Sequence, residues 1–207
     1  MAEFDITFKA LAERLPRAVL ELFGHRKIGN RTSFRVLKRE LTVPLKSMDH
    51  ACVVSDARGR WAEHFEAEVG FSSEDQQAIL ERNALLKIKL KTPVWTTVIL
   101  MSKRRGPAKP VRQFGDRSGS LTWKLRPRYI QLWKFPAALF LELGNPRALP
   151  WVGATQATPE QMREAVDRIR AIPDKRVRTQ LGAELVVLST LQYDEEEVDR
   201  IRKRLAW

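Results

Sequence analysis

The sequence predicts a mixed α/β fold, with a central sheet of mixed strand direction flanked by helices and a small helical C-terminal extension. Three observations carry that reading. The first half of the chain alternates helical and strand periodicities in the order α, β, β, β, α, β. Residues 94–101 (Val-Trp-Thr-Thr-Val-Ile-Leu-Met) form the strongest buried-strand signal in the chain. The last quarter reads as three helices with their own start signals.

Taken in order, Phe8, Leu11, Leu15, Val19, Leu22 and Phe23 recur near helical spacing, and Pro16 splits them into two helical pieces. A loop over 24–30 leads to a strand over 34–41, where Phe34 and Val36 alternate and Pro44 follows. Residues 50–55 (His-Ala-Cys-Val-Val-Ser) are short and β-branched. The Asp-Ala-Arg-Gly turn at 56–59 carries them into a second strand ending at Val69, so 49–69 reads as a hairpin. Ser73 with Gln76 three residues later is a capping-box pattern. It opens a helix to about Lys91, with Ile79, Leu86 and Leu90 on one stripe and Pro93 behind it.

Residues 102–120, with Pro107, Pro110 and three glycines, read as a loop or flexible hairpin tip. Strands over 120–125 and 129–133 follow, then a helix over 135–143 and a linker over 146–150. Thr158-Pro159-Glu160-Gln161 supplies an N-cap, a first-turn proline and a capping glutamine for the next helix. Helices over 176–191 and 194–207 close the chain, the last with acids first and bases last, as the helix dipole prefers. The expected division is a core over 1–145 and a helical extension over 146–207.

Hydrophobic residues make up 43% and charged residues 30%, the balance of a folded chain rather than a disordered one. No apolar run approaches the ~20 residues that span a bilayer, and the first residues show no secretory pattern, so no membrane partner is expected. A single cysteine, Cys52, cannot close an internal disulfide and fits a cytoplasmic protein. With three histidines it also excludes a thiolate-rich zinc site.

The net charge of +12 is unevenly spread. Residues 71–135 carry 14 basic and 4 acidic side chains, against 12 and 10 before them and 11 and 11 after. A concentrated positive field attracts a polyanion, and nucleic acid is the commonest such partner; a merely solubilising surface is the alternative. Lys103, Arg104, Arg105, Lys109 and Arg112 in the 102–120 segment, with Lys87 on the preceding helix, are the candidate DNA-binding residues. An ordinary charged hairpin tip and a solvated helix face are the competing readings.

Phosphate-loop, nucleophile-elbow, H-E-x-x-H and C-x-x-C patterns are absent from the sequence. What remains is an acidic group: Asp49 at the start of one strand, and Glu66 and Glu68 on the next. Alternate strand residues share a face, so His64, Glu66 and Glu68 point the same way, about 6–7 Å apart in steps of two. Two carboxylates at 6 Å repel by roughly 2–3 kcal/mol at an effective dielectric of ~20. Such a trio calls for a proton, a cationic partner or a divalent ion such as Mg²⁺. The competing reading leaves Glu66 and Glu68 on a solvated face, paired with Arg60, His64 or lysines.

The pattern resembles the PD-(D/E)XK nuclease superfamily, whose core runs helix, acid-bearing hairpin, helix, strand. More narrowly it resembles the Rpn family of recombination-promoting nucleases and transposase-like proteins. The residues that carry the resemblance are Asp5-Ile-Thr-Phe8-Lys9, Glu40-Leu41-Thr42-Val43, Asp49 and His64-Phe65-Glu66-Ala67-Glu68. The phrases Pro93-Val94-Trp95-Thr96-Thr97-Val98-Ile99-Leu100, Leu132–Ala137 and Ala148–Pro150 extend it across about residues 4–170. It implies a restriction-endonuclease-like core and metal-dependent cleavage of DNA. Asp49 and Glu66 would be the catalytic acids holding Mg²⁺ or Mn²⁺, with Glu68 as a further ligand or base. Glu68 stands where the family has glutamine and the superfamily lysine, so the positive charge of that position is missing. The alternatives are a catalytically inactive DNA-binding or regulatory protein that keeps the fold, and a protein-interaction module.

Overall fold

A computed structural model describes residues 8–9, 11–37, 50–103, 110–118 and 121–205. Residues 8–9 and 11–14 are helical, Leu15 breaks the run, and α1 (Pro16–Phe23) starts on its proline. Proline has no amide hydrogen to lose at a first helical position, which is why the break falls there. The strands β1 (Ser33–Val36), β2 (His50–Asp56) and β3 (Gly59–Glu68) form an antiparallel meander. Gly59 takes φ +118° beside the Asp56–Arg58 turn, a backbone state that an L side chain rarely adopts. The long helix α2 (Ser73–Leu90) then crosses over to β4 (Val94–Leu100), which lies parallel to β3.

β5 (Phe114–Ser118) and β6 (Leu121–Leu125) pair as a separate two-stranded sheet, and β7 (Arg128–Gln131) returns parallel to β4. The main sheet has the order β1-β2-β3-β4-β7. Helices α3 (Ala138–Glu142), α4 (Pro159–Arg170), α5 (Lys175–Ser189) and α6 (Glu195–Leu205) complete the fold, with 3₁₀ turns over Pro146–Ala154. The expected mixed α/β class, with a five-stranded mixed sheet and flanking helices, is observed.

Strand alternation sorts β3 onto two faces. Trp61, Glu63, Phe65 and Ala67 point toward α1 and the C-terminal helices, while Ala62, His64, Glu66 and Glu68 point toward α2. On the first side one apolar cluster runs from Phe8, Val19 and Phe23 through Trp61 and Phe65 to Trp151, Leu185 and Leu205. Phe8 meets Trp151 edge-on at 5.8 Å, and Phe140 stacks on it at 6.1 Å. On the second side Ile79 and Leu80 of α2 cover Val98 and Leu100, with Leu125 and Trp133.

Several local expectations shift. Residues 146–150 form no linker: Leu149, Pro150 and Trp151 are buried. The boundary expected at 145 therefore crosses a continuous core. The capping box of α2 is Ser72 with Asp75, one residue earlier than the expected Ser73 and Gln76. Aspartate serves as well as glutamine there, because the box needs only an acceptor that reaches back to the cap amide. The 102–120 segment is not all loop, since β5 lies inside it; its sequence FGDRS carries one apolar residue and no alternation to read. The 3₁₀ turn Leu132–Lys134 takes the end of the expected 129–133 strand, and α3 is shorter than the expected 135–143 helix. The expected strand over 34–41 is described only to Leu37, because residues 38–49 lie outside the described residues. No helix among the described residues is long and apolar enough to cross a membrane.

Candidate functional site

Glu66 lies near the C-terminal end of β3, opposite Val98 of β4, and is 1% exposed. Its side chain points at α2, and both carboxylate oxygens are engaged. Arg82 donates through Nη1 to Oε2 at 2.6 Å, and His64 donates through Nε2 to Oε1 at 2.6 Å. A carboxylate only accepts, so both groups donate to it. His64 Nδ1 and the Thr96 hydroxyl lie in hydrogen-bond contact at 3.1 Å, and Asn83 Nδ2 donates to Thr96 Oγ1 over 2.8 Å. Arg82, Glu66, His64, Thr96 and Asn83 thus form one connected line of hydrogen bonds between α2 and the sheet. His64 is fully buried, and Thr96 and Asn83 nearly so. The helical period sets Arg82 and Asn83 of α2 against the sheet beside the buried stripe of Ile79, Leu80 and Leu86.

Glu68 follows on the same face of β3 and is partly exposed, with its carbonyl accepting from Met101 N at 2.8 Å. Asp49 lies outside the described residues. The cation that answers Glu66 is therefore Arg82, which was not among the residues marked by sequence. An arginine on the helix that crosses over the strand carrying E-x-E was the available signal.

The resemblance implies a divalent ion held by Asp49, Glu66 and Glu68. Such an ion binds carboxylate oxygens directly, whereas each Glu66 oxygen already accepts from a nitrogen donor at 2.6 Å and the residue is buried. Among the described residues no group of three or more His, Cys, Asp or Glu side chains is placed to hold a metal. Glu66 and Glu68, the described part of the expected ligand set, make no complete ion site by themselves.

The opposite face of β3 holds a second buried acid that the sequence did not reveal. Glu63, 1% exposed, accepts from His25 Nδ1 at 3.0 Å, from the His25 amide at 3.2 Å and from Trp61 Nε1 at 2.9 Å. Thr97 donates to the Phe23 carbonyl at 3.1 Å, tying the same loop to β4. His25 is remote in sequence from Glu63, and only the packing of α1 on the sheet brings them together.

His50, at the start of β2, stacks on Phe65 with ring centroids 6.0 Å apart. Its Nε2 is buried with no hydrogen-bond partner among the described residues. Burial, aided by the charge of His64, pulls its pKa down from 6.5 to about 4. Cys52, buried nearby, has its thiol pushed far up by burial and by Glu63, so it is an inert core residue.

Of the candidate DNA-binding residues, Lys87, Lys103 and Arg112 are among those described. Lys87 is exposed on α2 with its ammonium 5.3 Å above the Trp123 ring of β6. Lys103 and Arg112 are exposed on the two sides of the 104–109 stretch. Arg104, Arg105 and Lys109 lie outside the described residues.

Compared with protein-family models, curated proteins and solved structures, the chain matches none of them.

Proposed function

We propose that the protein binds DNA on a nuclease-type α/β scaffold without cutting it, as an inactive DNA-binding or regulatory relative of that fold. The observation that carries this reading is the state of Glu66, buried with one oxygen accepting from Arg82 and the other from His64. The element order α, β, β, β, α, β, with β3 and β4 parallel across the α2 crossover, supports the scaffold. The 14 basic residues against 4 acidic ones in 71–135 support the partner. Lys103, Arg112, Lys124 and Arg126 carry part of that excess at exposed positions. Neutralising about six phosphates gives a log–log salt slope near −5.

The test is a labelled duplex titrated across a salt series, beside a plasmid-nicking assay with Mg²⁺ or Mn²⁺. Salt-sensitive binding with intact plasmid is the expected result. Absence of binding at low salt overturns the reading and leaves the helical segment as a protein-interaction module.

One observation favours a second reading, metal-dependent hydrolysis of DNA by Asp49, Glu66 and Glu68 with Mg²⁺ or Mn²⁺. Glu66 and Glu68 do share a face of β3, as that chemistry requires. Nicking by the unaltered protein that is lost in Glu66→Gln establishes it in place of the first.

A further inference from the structure

The basic excess of the middle third is not the only cationic surface the fold builds. The loop between α1 and β1 packs against the β2–β3 turn, on the face of the sheet opposite α2. Between them is an open cleft of about 410 Å³, lined by Lys27, Gly29, Arg31, Asp56 and Arg58 among others. Its walls are fixed. Arg128 of β7 donates to the Gly24 carbonyl at 2.6 Å, and Arg17 donates to that of Gly29 at 3.2 Å. Arg58 donates to the Lys27 carbonyl at 2.9 Å. Arg26, beside the cleft, lies over both Trp61 and Trp95 at 5.0 and 5.1 Å.

Asp56 is the acid in the cleft wall, and it is already answered. Arg58 donates to it through Nε at 2.8 Å and through its backbone amide at 2.7 Å. Lys27 and Arg31 are exposed, so the cleft keeps an excess of two positive charges on a held backbone. A rigid concavity with unanswered cations suits a phosphate group better than a diffuse basic surface does.

We propose that the cleft formed by Lys27, Arg31 and Arg58 takes a backbone phosphate of DNA, a contact separate from the Lys103–Arg112 region. The proposal rests on the DNA-binding reading. The test compares the unaltered protein, Lys27→Ala/Arg31→Ala and Lys103→Ala/Arg112→Ala on one labelled duplex over a salt series. Inorganic phosphate is titrated separately, and thermal melts check that each variant is folded.

Weaker binding by Lys27→Ala/Arg31→Ala, with a salt slope shallower by about 1, is the expected result. If the unaltered protein binds DNA and this variant matches it in affinity and slope, the cleft proposal falls and the DNA-binding reading stands. If inorganic phosphate binds the unaltered protein and not the variant while DNA affinity is equal, the site serves free phosphate and the backbone contact is overturned. If the unaltered protein does not bind DNA at low salt, both fall together.

Discussion

Arg82 of α2 closes a 2.6 Å ion pair onto Glu66 of β3, joining helix and sheet through a carboxylate that is 1% exposed. The pair sits where the resemblance places a metal ligand, so its energetics decide how the site is read. Removing one partner of a buried pair strands the other's charge, which typically costs 3–5 kcal/mol. His64 still donates to Glu66 in Arg82→Met, so the expected loss is about 3 kcal/mol. Urea denaturation measures it. Glu66→Gln/Arg82→Met removes both charges and is expected to recover most of that loss. A double variant as unstable as the single one would show that Arg82 acts through packing rather than through Glu66.

His50 makes stability depend on pH in a defined window. Its pKa lies at about 4 in the folded chain, against 6.5 unfolded, because burial disfavours the cation. The unfolded chain therefore binds more protons between those values, and stability falls as pH drops from about 6.5 to about 4. A shift of that size corresponds to something on the order of 3 kcal/mol. Denaturation midpoints across that range are expected to fall in the unaltered protein and to flatten in His50→Leu. An unchanged profile in the variant would assign the dependence to other groups.

How much of this was legible in sequence follows from the range of the interactions. The βαβ crossover was readable because each of its signals is local: the turn at 56–59, the cap before α2, Pro93 and the apolar run behind it. The shared face of His64, Glu66 and Glu68 was readable from strand period alone. Their partners were not. Arg82 and Asn83 reach the sheet only once α2 packs on it, and His25 meets Glu63 only through the docking of α1. The same holds for the expected linker over 146–150, which two prolines suggest and which lies inside the buried Pro146–Ala154 turns. Trp151 is buried there because α5 comes close enough to cover the segment.

The last residue of the α2 cap is strained. Lys91 takes φ 48° and ψ 38° while its amide donates to the Lys87 carbonyl, the left-handed capping state usually given to glycine. An L side chain in that state costs roughly 1–2 kcal/mol. Lys91→Gly relieves the cost but frees the unfolded chain, so the expected net gain is about 0.5–1 kcal/mol. A lower melting temperature in this variant would show that the lysine side chain makes contacts that outweigh its backbone strain.

Gly153 sets how closely the C-terminal helices approach the rest of the core. A Cβ built there meets Ser189 Oγ at 2.6 Å and the Leu185 carbonyl at 2.8 Å, both on α5. Ser189 Oγ is itself tied to that carbonyl at 2.8 Å, so the serine has little freedom to move aside. Gly153→Ala must push α5 away from Trp151 and Val152, in a cluster that continues to Phe8 and Phe65. Overpacking of this kind typically costs 1–3 kcal/mol. Because the cluster is continuous, the loss is expected as one lowered cooperative transition for the whole chain. Two separate transitions would instead show that the segment after residue 145 folds as a unit of its own.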